Sequence, residues 1–265
     1  MAASGRHRAF RGTVAALTAW AHWVEPAWIE TTFTRLRWQG PPLRIALLTD
    51  LHVKGGGASR TRRIVRRTNA LAPDLVLIGG DFVYGLDADP EKLAALAPLA
   101  DLRAKLGTFA VFGNHDSLQS GEHSIRHVVE KAGVRVLSNE HVDLPDGAVL
   151  VGLGDYLADD SEPRPAFAGV AENAPAIVLV HSFKSLELPG VMRFDLALAG
   201  HTHGGQGCIP FTEICPYLEE DMQPYSRGLY EWPSGGRLYV SRGLGESGIP
   251  ARIGARPEIA CLDLS

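Results

Sequence analysis

Cysteine is scarce in this sequence: Cys208, Cys215 and Cys261 are the three among 265 residues. Three thiols cannot build a disulfide framework, and without a Cys-x-x-Cys pair they offer no structural zinc site. Their usage fits a reducing compartment. Long apolar runs are missing as well. The weakly apolar stretch 12–24 follows Arg6, Arg8 and Arg11 and so resembles the start of a signal peptide. It contains His22, however, and falls short of the roughly 20 apolar residues that span a bilayer. Nor is there an excess of positive charge. The formal net charge of -4 gives no global basic bias, so no specific nucleic-acid partner is expected. No low-complexity linker and no internal repeat interrupts the chain.

What is present is an ordinary globular composition, 45% hydrophobic and 21% charged, in a length that can hold one large α/β domain or two small ones. Two features stand apart. Trp20, Trp23 and Trp28, near the N-terminal arginines, suit a short helix at a lipid interface, although a helix packed on the domain would use the same residues. Arg60, Arg62, Arg63, Arg66 and Arg67 fall within eight residues, either as a cationic collar for anionic head groups or as a solvated helix face. Spacing puts Arg60, Arg63 and Arg67 roughly on one side of that helix. Residues 1–23 therefore read as an N-terminal extension and residues 24–265 as a single domain. The expected location is the cytoplasm or, peripherally, the cytoplasmic membrane.

From residue 43 the pattern is regular. Residues 43–49 ("LRIALLT") read as a buried strand, followed by a glycine loop and a helix over about 59–71. Strands at 75–78 and 108–112 alternate with helices at 90–106 and 122–132, a βαβαβα order that predicts an α/β domain with a largely parallel first sheet. Strands at 135–137, 149–153, 177–180, 196–199 and 238–241 follow with few helices between them, which predicts a second sheet packed on the first. The stretch 207–233, rich in Pro, Tyr and Glu, reads as a substrate-gating loop more than as core, and Cys208 and Cys215 within it as structural more than reactive thiols.

The ends of these strands carry the chemistry. Asp50 and His52 follow the first strand, Asp81 the second, and Asn114, His115 and Asp116 the third; His181 follows 177–180, and His201 and His203 follow 196–199. In open α/β sheets ligands bind beyond the carboxyl ends of strands, so five strand ends deliver carboxylates, an amide and imidazoles to one rim. Each signal alone is weak, since an Asp after a strand commonly caps a helix and Gly-Asn commonly turns. Jointly they form a donor set suited to divalent Zn, Fe, Mn or Ni, without the thiolates of a closed zinc site. The two histidines of "AGHTHGGQ" point to the same side of an extended chain and so into one site.

The ordered set Asp50-x-His52, Gly80-Asp81, Gly113-Asn114-His115-Asp116, His181 and Gly200-His201-Thr202-His203 resembles the calcineurin-like metallophosphoesterase superfamily. The run "YVSRGLGESGIPARIGARPEI" and the "GGQ" after the histidines resemble its bacterial, often membrane-associated branch, which includes UDP-2,3-diacylglucosamine diphosphatases. The resemblance implies a two-sheet αββα sandwich and two divalent metal ions. It implies Asp50, His52 and His203 on one ion, Asn114, His181 and His201 on the other, and Asp81 bridging both. Two divalent ions against two carboxylates and one hydroxide leave about one positive charge to attract phosphate, and the neutral Asn114 preserves it. Gly204 and Gly205 would then let backbone and substrate approach closely.

The activity so implied is hydrolysis of a phosphodiester or diphosphate, lipid-linked in that branch, by metal-activated hydroxide. His115 would protonate the departing oxygen or stabilise charge on the phosphoryl group, and Asp116 would orient its ring. Phosphoprotein phosphatases of this superfamily read GDxVDRG where this chain reads "GDFVYGL", with Tyr84 and Gly85 at the divergent places, so that activity is disfavoured. Ser182-Phe183-Lys184 follows His181 where the branch more often has Asn-Pro. The competing readings are a nuclease or nucleotide phosphodiesterase, which needs a basic groove and a stacking platform that the sequence shows little of, and a non-catalytic scaffold, which would have lost part of the donor set.

Overall fold

Period-two alternation sorts the apolar side chains of the strands into layers. The computed structural model describes residues 13–85, 87–118, 121–209, 212 and 214–265. Its strands are β1 (Glu30–Leu36), β2 (Leu43–Leu48), β3 (Leu75–Gly79), β4 (Gly107–Val111), β5 (Val134–Val136), β6 (Glu140–Asp143), β7 (Val149–Gly152), β8 (Ala176–Leu179), β9 (Leu196–Ala199), β10 (Gly228–Glu231), β11 (Arg237–Val240) and β12 (Glu258–Leu264). Its α-helices are α1 (Ala58–Asn69), α2 (Pro90–Leu96), α3 (Asn114–Ser117), α4 (Glu122–Lys131) and α5 (Pro163–Ala166).

Leu43, Ile45 and Leu47 of β2 and Leu75 and Leu77 of β3 face a second sheet, where they meet Ile177 and Leu179 of β8 and Leu196 and Leu198 of β9. The residues between them, Ala46, Leu48, Val76 and Ile78, face helices and pack on Ile64, Leu96, Ile125 and Val129. A third apolar layer lies outside the second sheet, where Val178 and Ala197 meet Phe183, Met222 and Trp232. The αββα sandwich is thus the consequence of strands that are apolar on both faces. The first sheet runs β1-β12-β2-β3-β4-β5 and is parallel from β2 to β5, as expected; β12 enters antiparallel to β2. The second runs β10-β11-β9-β8-β7-β6, parallel from β11 to β7. In both sheets the parallel strands end on the same rim, which is where the donor residues stand.

Four readings are corrected. The helix expected over 90–106 stops at Leu96 and continues as a 3-10 turn, Ala97–Asp101, because Pro98 has no N–H to give the Ala94 carbonyl, which accepts from Ala97 N–H instead. The stretch 207–233 is in part core: it holds the 3-10 helix Glu220–Tyr225 and β10, and Phe183, Tyr225, Tyr230 and Trp232 pack ring against ring. Cys208 and Cys215, both buried, form a disulfide across seven residues, and Cys261 is a buried free thiol. A short loop needs only one such pair, which the scarcity of cysteine does not exclude.

The fourth correction concerns the arginine helix. Arg60, Arg63 and Arg67 do share a face of α1, but that face is neither collar nor solvated surface. Arg60 donates to the carbonyls of Pro26 and Leu244, Arg63 to that of Ala27 and Arg67 to that of Ile29, so the three guanidiniums collect carbonyls of the segment that leads into β1. Only Arg62 and Arg66 of the group are exposed. Arg67→Ala should leave the Ile29 carbonyl short of its donor at a cost of about 1–2 kcal/mol, lowering the melting midpoint by roughly 2–8 °C in differential scanning calorimetry. An unchanged midpoint would mean that the contact contributes nothing.

The chain before β1 is helical from residue 13 and widens into a π-turn at Trp20–Val24. Arg6, Arg8 and Arg11 lie outside the described residues. Ala21 is buried and its carbonyl accepts from Arg252 N–H, while Glu25 accepts from Trp20 Nε1 and from Ala255 N–H. No helix among the described residues is long and apolar enough to cross a membrane.

Candidate active site

Each predicted donor leaves its strand in the turn that follows. Asp50, His52, Asp81, His201 and His203 all have positive φ, at +50°, +39°, +54°, +68° and +51°. Such left-handed geometry costs a non-glycine residue about 1–3 kcal/mol, so it persists only because neighbouring loops fix it. Asp50 N–H donates to Gly80 O at 3.0 Å and His52 N–H to Asp81 O at 2.9 Å, knitting the first two loops together. Gly113 allows the third loop to join them, since a side chain there would run into Asp81 and the His181 ring.

Asp116 is the anchor of these loops. Its buried carboxylate accepts from Asp81 N–H at 2.7 Å, Phe82 N–H at 2.9 Å and Gly113 N–H at 3.1 Å. Burial, with the charge of Asp81 beside it, pushes this carboxyl up to about 7. It therefore holds the Asp81 loop, while the ring of His115 is oriented elsewhere: His115 Nδ1 lies 3.1 Å from Gly85 O. The orienting role expected for Asp116 passes to Gly85, whose φ of +79° aims the carbonyl.

The donors form two sets around Asp81. Asp50, His52, Asp81 and His203 are all buried, with ligand atoms within 4.8 Å of one another. His52 Nε2 is 3.1 Å from His203 Nε2, and His203 Nε2 is 3.5 Å from Asp50 Oδ1. In the second set His181 Nε2 is 3.1 Å from Asn114 Oδ1 and 3.2 Å from His201 Nδ1. Asp81 Oδ2 belongs to both, lying 3.3 Å from His52 Nε2 and 3.4 Å from His181 Nε2. The structure thus brings all seven predicted ligands together.

The chemistry of these atoms fits cations. His52 Nδ1 sits 3.3 Å from Val83 O and His181 Nδ1 2.7 Å from Gly79 O; a carbonyl only accepts, so both Nδ1 atoms carry hydrogen and both Nε2 atoms offer lone pairs. The Nε2 lone pair of His181 faces the acceptor oxygens of Asn114 and Asp81, an arrangement that a cation between them would satisfy. Among the protein groups themselves, burial opposes charge everywhere. Even so, His181 and His52 hold Asp81 well below the usual carboxylate range, and Asp81 holds His181 well above the usual imidazole value. Burial, then His52 and Arg252, hold His203 well below it. The proton that Asp81 favours on His181 stands where a cation would, and metal binding would release it.

Sequence reasoning missed the residues behind and in front of the donors. Arg252, wholly buried, donates to the carbonyls of Gly245, His203, Arg242 and Ala255, and its Nη2 lies 3.3 Å from His203 Nδ1. It lies in the run "GIPARIGARPEI", which has no metal-ligand spacing to betray it. Of the glycines after His203, a side chain at Gly204 would run into Arg242 and one at Gly205 into the Cys208 and Cys215 sulfurs, while Gly205 itself lines the cavity in front of the donors. In front, a cavity of about 650 Å³ opens onto Asp81, His115, His201 and His203. Its walls are apolar, with Val14, Leu17 and Ala21 from the N-terminal helix facing Leu218, Met222 and Ile249.

With this geometry in place, comparison with known proteins is informative. Residues 43–205 match the family model of the calcineurin-like phosphoesterases. The chain is 34% identical over 280 residues to the phosphodiesterase YaeI of Escherichia coli, covering 98% of each protein. It is 38% identical over 234 residues to an uncharacterized metallophosphoesterase of Helicobacter pylori, with 84% of this chain covered and 60% of that one. It is 27% identical to the UDP-2,3-diacylglucosamine pyrophosphatase LpxG of Chlamydia muridarum, covering 89% of this chain and 92% of that one. A solved protein of Thermus thermophilus shares the fold, with a TM-score of 0.51 at 15% identity over 77% of this chain and 91% of that one. Donor set, fold and relatives agree, and the chain belongs to the calcineurin-like phosphoesterases, a family of metal-dependent phosphoester hydrolases.

Proposed function

We propose that this protein hydrolyses a lipid-linked phosphodiester or diphosphate, working as a peripheral protein at an anionic membrane surface. Two divalent ions, Mn, Fe, Zn or Ni, would be held by Asp50, His52 and His203 and by Asn114, His181 and His201, with Asp81 shared. When bound, such ions polarise phosphoryl oxygens and lower the pKa of a water between them. The chain's own residues do the rest. Asp81 Oδ1 accepts from His115 N–H at 2.9 Å and so sets His115 beside the shared carboxylate. His115 Nε2 delivers a proton to the departing oxygen, while Gly85 O keeps the hydrogen on Nδ1.

The observation that carries the lipid reading is the apolar cavity continuous with the donor cluster. A phosphate alone has no use for walls of Leu, Met and Ile, whereas an acyl chain does. The N-terminal helix that supplies one wall leads into Trp20, Trp23 and Trp28, which are 39%, 72% and 48% exposed, and Trp favours the headgroup layer. The LpxG relatives, named for a diacylated substrate, support the same class.

Leu17 tests this reading, because it lines the cavity yet is 57% exposed and carries little of the fold. Loss of one apolar side-chain contact is worth about 1.5 kcal/mol or more, so Leu17→Glu should raise KM for micellar UDP-2,3-diacylglucosamine about tenfold or more. Bis-p-nitrophenyl phosphate, with no chain to lodge there, should be turned over as by wild type. Equal effects on the two substrates would remove the lipid from the proposal and leave the phosphoesterase.

A further inference from the structure

The "GGQ" that follows the paired histidines is not used up by the donor set. Gln206, at φ +44°, turns its side chain onto the segment after Gly245. Its Oε1 accepts from Ser247 N–H at 2.9 Å, and its Nε2 donates to the carbonyls of Ser247 at 2.9 Å and Ile249 at 2.8 Å. The same segment is pinned elsewhere by Lys54 Nζ, 2.8 Å from Glu246 Oε2, and by Tyr84 OH, which donates to Gly248 O at 3.1 Å. Ser247 is thereby fixed on the cavity wall with its Oγ 3.3 Å from His115 Nε2.

The other ring nitrogen decides the direction of that contact. Because Nδ1 faces the Gly85 carbonyl, it carries hydrogen, and Nε2 of the neutral ring accepts from the Ser247 hydroxyl. Nε2 makes one such bond in the plane of the ring, so the Ser247 hydroxyl holds the ring until a departing oxygen takes its place.

We infer that Ser247 is a positioning residue of this active site: its hydroxyl, set in place by Gln206, fixes the His115 ring so that Nε2 faces the cavity where a departing oxygen lies. This rests on the reading of His115 as the acid. The Ser247 hydroxyl is the contact made to Nε2 itself, and proton delivery from that atom depends on its alignment.

The test compares Ser247→Ala, Ser247→Thr, His115→Ala and the His115→Ala/Ser247→Ala double variant, all loaded with Mn²⁺. Substrates are bis-p-nitrophenyl phosphate and a glycerophosphodiester, whose alcohol leaves only with a proton; metal content and melting midpoint are measured alongside to establish that each variant folds. Ser247→Ala should lower kcat for the glycerophosphodiester about five- to tenfold at unchanged KM, the range of one neutral hydrogen bond. It should cost much less with bis-p-nitrophenyl phosphate, and Ser247→Thr, which restores a hydroxyl, should recover the loss. In the His115→Ala background the Ser247→Ala change should remove nothing further. Losses that are equal on both substrates, or that add in full to those of His115→Ala, would overturn the inference. If His115→Ala itself shows no dependence on the leaving group, the acid reading falls, and non-additivity in the double variant then decides on its own whether Ser247 acts through His115.

Discussion

Asp81→Asn should lose both metal ions and at least about 10³-fold in turnover, since the ions supply several kcal/mol of transition-state charge stabilisation. The reason is local. Asp81 Oδ2 lies 3.3 Å from His52 Nε2 and 3.4 Å from His181 Nε2, so an amide nitrogen at that position would donate to the lone pairs that the ions need. Asp81 Oδ1 would survive as the amide oxygen and keep its bond to His115 N–H. The variant should therefore fold, with a metal-free melting midpoint no lower than wild type, while elemental analysis finds little metal and bis-p-nitrophenyl phosphate is barely hydrolysed. An exposed change such as Glu91→Gln should alter neither quantity. Two equivalents of metal retained at full activity would end the assignment of Asp81 as the shared ligand.

Why the donor set could be read from the sequence, and its surroundings could not, follows from how each is encoded. Strands β3, β8 and β9, and β2 beyond Arg44, are buried on both faces and so appear as uninterrupted apolar runs. Whatever polar residue ends such a run stands out. Of the strands that the pattern does not reveal, β1, β6 and β10 are the edges of their sheets, and their sequences ETTFTRL, EHVD and GLYE are polar because one side of an edge strand meets solvent. The left-handed turns at Asp50, His52, Asp81, His201 and His203 carry no compositional mark, because non-glycine residues occupy them. Their stability comes from contacts across sequence, above all Asp116 on the Asp81 loop and Arg252 on the carbonyl of His203.

The arginine helix shows the same limit from the other side. Spacing does place Arg60, Arg63 and Arg67 on one face, but whether that face meets lipid, water or protein is a tertiary fact. The carbonyls of Pro26, Ala27 and Ile29 lie more than thirty residues away in sequence. The cysteines follow suit, since proximity in space made the pair and no spacing rule announced it.

His115→Ala should keep its metals and lose chemistry. His115 contributes its backbone N–H to Asp81 Oδ1, a bond that Ala retains, and its ring meets His52 edge-on with centroids 4.9 Å apart without entering either donor set. Removing it therefore takes away a proton donor and leaves the ligands in place. A positioned acid contributes typically about 10²- to 10⁴-fold, and that whole factor should be lost for substrates whose departing alcohol must be protonated. For p-nitrophenyl esters the phenolate leaves unaided, so the loss should shrink toward that of any small perturbation at the cavity wall. Single-turnover rates for a graded series of leaving groups would show this as a steeper dependence of log kcat on leaving-group pKa in the variant than in wild type. Parallel lines would show that His115 stabilises charge on the phosphoryl group instead of donating a proton, and loss of one metal equivalent would make it a ligand.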